Sequence, residues 1–360
     1  MKVNNILCEY LDNPIGLGIR SPRITWNDLG VEKQKAFEVI YKVNGNEKKD
    51  LVYSSSMNYQ FKEQFNSRDI ITYQIRISDI KDNWSELSEE HKFEMGLLED
   101  SNWKANWIAG DYKVSKKERY PVDYFKKEFQ IKGITKARLY ISACGIYEAF
   151  INGTRVGDFI LAPGSTDPRK RINYQSYDVT KLIKEGNNEI NILLSDGWYR
   201  GSIGAKGFTY VFGKETKVKA QLELTINDGI EMILTDNSWN WCNDGPYLFA
   251  DLKDGEIVDA RKTPSYNGYA KEVLYKVNLT ESNNDYVVEN EISNPINMWK
   301  TKNDNIVLEF ANNIAGYLSF SVDAHEGDKI DIALGEMLDN EGEVTLKNIQ
   351  CIRKGKKTPL

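Results

Sequence analysis

The stretch YISACGIYEAFINGTRVGDFILAPGSTDPRKRINYQSYDVTKLIKEGNNEINILLSDGWYRG, Tyr140 to Gly201, decides the fold. Its apolar-rich runs Leu139–Ile151 and Val156–Leu161 flank Asn152-Gly153. Asn-Gly is a strong hairpin signal because a type I′ turn needs positive φ at both central residues. Asp178-Val-Thr-Lys-Leu-Ile-Lys-Glu-Gly186 reads as one short helical turn with an Asp cap and a Gly stop. A further strand, Asn188–Ser195, runs into the polar-aromatic loop Asp196-Gly-Trp-Tyr-Arg-Gly201. β-rich edges and one aromatic loop describe a β-sandwich with a ligand-facing end rather than a catalytic centre.

Upstream, Ala36–Val43 and Ile70–Ile77 alternate with period two, and polar turns lie at Asn44-Gly45-Asn46 and Lys81-Asp82-Asn83. Short strands at regular spacing predict a fibronectin-type-III-like β-sandwich over residues 1–98, with Trp26 and Trp84 as core anchors. Trp103 and Trp107 mark a junction where one module packs on the next.

The second module, 103–262, adds strands over Thr216–Asn227 and Ile230–Thr235 around an Asp228-Gly229 turn. Gln221, Glu223 and Thr225 alternate there with apolar neighbours, and Trp239 and Trp241 share one strand face for packing. About eight strands with Gly-rich corners give a jelly-roll sandwich. Strand–helix alternation is missing, which argues against a doubly wound or barrel α/β fold. Residues 263–300, polar and carrying Tyr266, Tyr269 and Tyr275, read as an ordered connector. The runs Ile306–Phe310, Gly316–Val322 and Lys329–Leu334 in 301–360 are too few strands to close a third sandwich. An exposed sheet edge is expected there, and with it local disorder or a homodimer. The fold class is all-β: consecutive sandwiches.

A chain of 360 residues calls for two or three domains, and 41% hydrophobic content supports real cores. A formal charge of −6 argues against nucleic acid, which needs a basic face. Cys8, Cys144, Cys242 and Cys351 form no CxxC pair, so free thiols in a reducing compartment are expected. The first residues show no signal-peptide pattern, and no apolar run is long enough to span a membrane. A cytoplasmic location is expected.

His91 and His325 stand far apart and fit no metal-ligand spacing. Gly201-Ser-Ile-Gly204 fails the nucleophile elbow. Gly207 to Gly213-Lys214 fails the phosphate loop, because five residues intervene and Glu215 follows the lysine. Gly16-Leu-Gly18 lacks a third glycine, and Asp251–Gly255 and Asp339–Gly342 do not space as a calcium loop. No catalytic residue, metal ligand or cofactor is assigned.

What remains is the set Asp167, Asp196, Trp198, Tyr199 and Arg200. Sugars are held by an aromatic face against their C–H surface and by planar polar groups at their hydroxyls. Trp198 with Asp196 and Arg200 could supply both, and Asp167 with Asp196 could place oxygens round a Ca²⁺. The structural alternative has Trp198 covering the sandwich end while Arg200 pairs with Asp167.

Several of these stretches resemble a known family in its own order. Cys8-Glu-Tyr-Leu-Asp-Asn-Pro-Ile-Gly16, Arg23-Ile-Thr-Trp26, Trp84-Ser-Glu and Phe93-Glu-Met-Gly-Leu-Leu98 resemble the first module of bacterial α-L-rhamnosidases. Tyr147-Glu-Ala-Phe-Ile-Asn-Gly153, Val156-Gly-Asp158, Leu161-Ala-Pro-Gly164, Tyr174-Gln-Ser-Tyr-Asp-Val-Thr180 and Asp196-Gly-Trp-Tyr-Arg-Gly201 resemble their following jelly roll, which Asp254-Gly-Glu256 and Asp259-Ala-Arg261 close. Phe310-Ala-Asn-Asn-Ile-Ala-Gly316 and Gly335-Glu-Met-Leu338 are similar to the start of their concanavalin-like sandwich. The resemblance implies an inverting glycoside hydrolase acting on terminal α-L-rhamnose. Its acid and base carboxylates sit on a helical (α/α)6 barrel that follows these β-domains, so none is carried over to this chain. The implied role is scaffold and carbohydrate-binding unit for a rhamnose-containing glycoside; the alternative is a stand-alone, lectin-like protein.

Overall fold

A computed structural model describes residues 1–349 except 31, 228, 283 and 284. Asp228 of the expected turn, Cys351 and the stretch Lys354–Leu360 lie outside the described residues. The first module holds β1 (Lys2–Cys8), β2 (Ile15–Leu17), β3 (Arg23–Leu29), β4 (Gln34–Val43), β5 (Asn46–Val52), β6 (Asn58–Gln60), β7 (Ile70–Asp79) and β8 (His91–Met95). They form a three-stranded sheet, β1-β3-β6, and a five-stranded one, β2-β8-β7-β4-β5. The period-two pattern sends Phe37, Val39 and Tyr41 into one core with Ile71, Tyr73, Ile75 and Ile77. Asn44 and Gly45, with φ of 48° and 90°, close the β4–β5 hairpin so that Val43 faces Asn46. Trp26 is buried in this core as expected. Trp84 is not. It is 38% exposed, because its bridge to Ser78 lays it on the outer sheet face beneath the Arg76 guanidinium, 5.0 Å from the ring centroid.

The second module holds β9 (Trp107–Ala109), β10 (Asp123–Ile131), β11 (Ile134–Cys144), β12 (Ile146–Ile151), β13 (Thr154–Arg155), β14 (Arg171–Asp178), β15 (Gly186–Ser195), α1 (Gly197–Arg200), β16 (Lys217–Ile226), β17 (Gly229–Leu234), β18 (Asn240–Cys242), β19 (Tyr247–Asp251), β20 (Gly255–Val258), β21 (Gly268–Tyr269), β22 (Lys271–Val273) and β23 (Asn278–Glu281). One sheet runs β13-β12-β15-β10-β18-β21. The other runs β22-β9-β16-β11-β14-β23, with β17 also on β16. Phe125, Leu139, Ile141, Ala149, Ile192, Leu222 and Trp239 meet in the core between them. Trp241 packs against that core from its rim.

The opening stretch corrects the sequence reading in three places. Leu139–Ile151 is two strands in different sheets, broken at Gly145. Gly145 takes a φ of 143°, and a Cβ there would strike the Ser195 carbonyl. Asn152-Gly153 does form the turn, pairing Ile151 with Thr154, but its return strand is only β13. Val156–Leu161 is not a strand; Gly157 and Leu161 take positive φ, and Val156 and Phe159 fold into the core. The helical turn after Asp178 is a 3-10 turn, Thr180–Leu182, and Gly186 opens β15 rather than stopping a helix.

The expected connector also contributes strands. β22 pairs with β9, and β23 pairs in parallel with β14, so both belong to the second sandwich. The third unit begins with β24 (Asn297–Lys300) against β25 (Ile306–Glu309) and ends among the described residues with β26 (Met337–Leu338) against β27 (Val344–Thr345). The runs Gly316–Val322 and Lys329–Leu334 form no strand, leaving Tyr317, Phe320, Ile330 and Leu334 exposed.

The two sandwiches meet across a polar, tightly built junction. Trp103 packs with Leu97, Tyr140 and Tyr174. Trp107 packs with Cys144, Ile172 and Tyr199 inside the second module. The alternating polar face of β16 is not solvated: Gln221 accepts from the Lys104 amide at 2.7 Å, and Glu223 accepts from Arg68 Nε at 2.8 Å. Across the same face Arg138 holds Glu94 bidentately, at 3.0 and 2.9 Å.

Candidate functional site

Asp196–Gly201 folds as one helical turn, α1, not as an open loop. Gly197 starts it with a φ of 50°, and a Cβ there would press on Ile146 and Gly145 at 2.8–2.9 Å. The four-residue spacing turns Asp196 and Arg200 toward each other in the interior. Arg200 Nε donates to Asp196 Oδ1 at 2.7 Å, and the two side chains are 1% and 3% exposed.

This pair belongs to a buried polar network. Arg200 Nη1 donates to the Tyr112 hydroxyl at 2.7 Å, and that hydroxyl donates to Asp123 Oδ2 at 3.2 Å. Asp123 also accepts from Trp241 Nε1 at 3.0 Å and Thr216 Oγ1 at 3.1 Å. Arg119 binds Asp251 and, at 3.1 Å, Asp254, while Asp251 accepts from the Ser202 amide at 2.7 Å. Burial raises Asp196 above the usual carboxylate range against the pull of Arg200. Burial likewise pushes Asp123 up to about 6. Desolvation opposes the Arg200 charge, but Asp196, Tyr112 and Asp123 outweigh it and hold its pKa above the ordinary value. The network braces the 201–213 loop and the β19–β20 hairpin, and it withdraws Asp196 and Arg200 from any ligand.

Asp167 is placed elsewhere. Its two oxygens take Arg169 Nε and Nη2, each at 2.8 Å, and Arg169 lowers its pKa to about 2. Arg169 in turn lies over the Phe212 ring, 5.3 Å from its centroid. The anticipated Asp167–Arg200 pair is therefore replaced by two local pairs. Each carboxylate proposed for Ca²⁺ is already neutralised by an arginine close to it in sequence. Among the described residues no group of three His, Cys, Asp or Glu side chains could hold a metal.

Trp198 and Tyr199 do come together. They line a shallow pocket of about 20 Å³ with Ala143, Cys144, Pro163, Thr166 and Ile172. Trp198 is half-buried, and Tyr199 is buried. The walls are the sheet-switch at Gly145, the 163–168 loop and α1, so the pocket exists because α1 turns at Gly197. Behind it lies Lys217, its Nζ 3.4 Å from the Tyr199 hydroxyl and 4.5 Å from the Tyr275 ring centroid. Burial lowers the Lys217 pKa. Sequence reasoning reached the aromatic half of this pocket and missed the 143–145 wall, which is legible only once the strand break at Gly145 is known.

Three family models match in order along the chain. The Rha78A-like N-terminal immunoglobulin domain matches residues 3–99, the alpha-L-rhamnosidase N-terminal domain matches 132–300, and the bacterial alpha-L-rhamnosidase concanavalin-like domain matches 299–358. An alpha-L-rhamnosidase of Formosa agariphila is 28% identical over 93% of this chain and 40% of its own length. One of Streptomyces avermitilis is 31% identical over 70% of this chain and 26% of its own. The crystal structure of an Aspergillus terreus α-L-rhamnosidase superposes with a TM-score of 0.77 at 27% identity, covering 85% of this chain and 38% of that one. A Streptomyces avermitilis α-L-rhamnosidase complexed with L-rhamnose shares the fold, with a TM-score of 0.83 at 20% identity over 96% of this chain and 52% of that one. The chain thus spans about 40% of the length of the Formosa relative. With its three β-modules matched in sequence order, this chain belongs to the α-L-rhamnosidase family and carries that family's immunoglobulin-like, N-terminal and concanavalin-like domains.

Proposed function

We propose that this chain forms the non-catalytic β-portion of an enzyme that hydrolyses terminal α-L-rhamnose from glycosides. Its modules act as a scaffold, and the second one contacts carbohydrate at the Trp198 pocket. The observation that carries the sugar contact is the half-buried Trp198 ring beside Ser165 and Thr166 on a small pocket. An aromatic face with hydroxyls at its edge is the chemistry that holds a pyranose ring. Turnover is assigned to a protonated carboxylic acid and a water-activating carboxylate outside these residues. Three buried free thiols, Cys8, Cys144 and Cys242, support a cytoplasmic location. The exposed apolar residues of 301–349 support a homodimer through that unit.

Calorimetric titration of L-rhamnose, with and without Ca²⁺, into the chain and into Trp198→Ala tests the contact. Binding removed by the substitution is expected; no heat from the unmodified chain would leave only the scaffold role. Purified chain is expected to leave an aryl α-L-rhamnoside intact, and sustained hydrolysis would overturn the non-catalytic assignment. A lectin-like role rests on the same pocket and requires that the binding serve no linked hydrolase.

A further inference from the structure

The chain carries three Asn-Gly dipeptides, at Asn44, Asn152 and Asn267, and the fold treats them differently. Asn44 Nδ2 donates to Asp69 Oδ1 at 2.8 Å, and its Oδ1 accepts from the Ile70 amide at 3.1 Å. Asn152 Nδ2 donates to Leu182 O and Asn188 Oδ1, both at 2.8 Å, and its Oδ1 accepts from the Glu189 amide at 3.1 Å. Both residues also sit at positive φ, in turns that fix the backbone. Asn267 has none of this. Its side chain is exposed, its φ is not positive, and it makes no hydrogen bond among the described residues.

We infer that Asn267 is a site of spontaneous deamidation in the folded protein, while Asn44 and Asn152 are protected. Once the edge strand β21 frays and frees the Gly268 amide from its ladder pair with Trp241, the Gly268 nitrogen, unhindered by a side chain, attacks the Asn267 side-chain carbonyl carbon. A C–N bond forms to Gly268, the bond to the side-chain nitrogen breaks, and ammonia leaves carrying the proton from Gly268. Water then opens the succinimide at either carbonyl, giving aspartate or isoaspartate. The same step at Asn44 or Asn152 first requires two or more hydrogen bonds to open.

The consequence is local to one sheet edge. Gly268 pairs with Trp241 in the β18–β21 ladder, and Tyr266 donates to Asn191 Oδ1 at 3.1 Å. Isoaspartate inserts a methylene into the backbone between those two anchors, so β21 loses its register on β18.

Peptide mapping by mass spectrometry after incubating the folded chain in mildly alkaline buffer tests this, with an unfolded sample in denaturant beside it. The peptide spanning Asn267 is expected to convert about tenfold faster than the other two in the folded chain, the factor that one to two net hydrogen bonds supply. In denaturant all three are expected to converge. Asn267→Ser should abolish the fast conversion and leave only the slow conversion at Asn44 and Asn152 over the same period. Equal rates at the three sites in the folded chain, or faster conversion at Asn44 or Asn152, would overturn the inference.

Discussion

Asp196 and Arg200, one helical turn apart, neutralise each other inside the second sandwich. Removing Arg200 leaves Asp196 buried with only the more distant Arg119, 3.8 Å away, as counter-charge, and breaking such a buried pair costs up to about 3–5 kcal/mol. Arg200→Met is expected to lose that much in urea unfolding. The double variant Asp196→Asn/Arg200→Met should recover part of the loss, because position 196 no longer carries an unpaired charge, while Asp123 still lacks the Arg200 charge. A double variant no better than the single one would mean that the wider network, not the pair, supplies the stability.

Asp123 gives a pH dependence of definite sign. Its folded pKa is raised to about 6 by burial, above the ordinary 3.8. Its contribution is therefore fully present below the unfolded value and is lost as pH rises through about 6. Asn can keep the bonds to Trp241, Thr216 and Tyr112, since both hydroxyls accept as well as donate. Asp123→Asn is expected to be more stable than the natural chain near neutrality by about 2–3 kcal/mol, with the gap closing toward pH 4. Thermal denaturation across that range checks it; a gap that widens on acidification would contradict the sign.

The junction between the first two modules depends on close backbone approach. A Cβ at Gly96 would strike the Tyr174 hydroxyl, and it would lie 3.1 Å from the Gly16 carbonyl. That hydroxyl accepts from the Leu97 amide at 2.7 Å and donates to the Leu97 carbonyl at 3.2 Å. Gly96→Ala is expected to break both bonds, costing about 1–3 kcal/mol. The calorimetric trace should change from one shared transition of the two modules to two. A single unshifted transition in the variant would show that the junction tolerates the methyl.

These results mark what local sequence could and could not reveal. Period-two runs located β4, β7, β15 and β16, because each buries one full face. Gly145 was unreadable as a sheet switch, since the apolar pattern of Leu139–Ile151 continues through it. The burial of the polar face of β16 is not legible, because an alternating strand does not say whether water or another module covers Glu223. At the pocket, residue type alone singles out Trp198 and Tyr199, which the fold places side by side. The pairing of Asp196 with Arg200 and of Asp167 with Arg169 is not legible, because ion pairing depends on which way α1 and the 163–168 loop turn, and glycine conformation settles that.

The size of the Trp198 pocket leads to a prediction about sugar choice, resting on the proposed carbohydrate contact. About 20 Å³ has room for a methyl group, and of the serine and threonine in its lining, Ser165 and Thr166, the second already donates to the Arg171 carbonyl, so an added hydroxyl is poorly matched there. L-rhamnose carries a methyl on C5 where L-mannose carries a hydroxymethyl. The pocket should therefore prefer L-rhamnose by about tenfold, the scale on which apolar pockets sort such neighbours. Parallel titrations of the two sugars decide it. Equal binding would remove the methyl preference while keeping the contact, whereas silence from both would remove the contact itself.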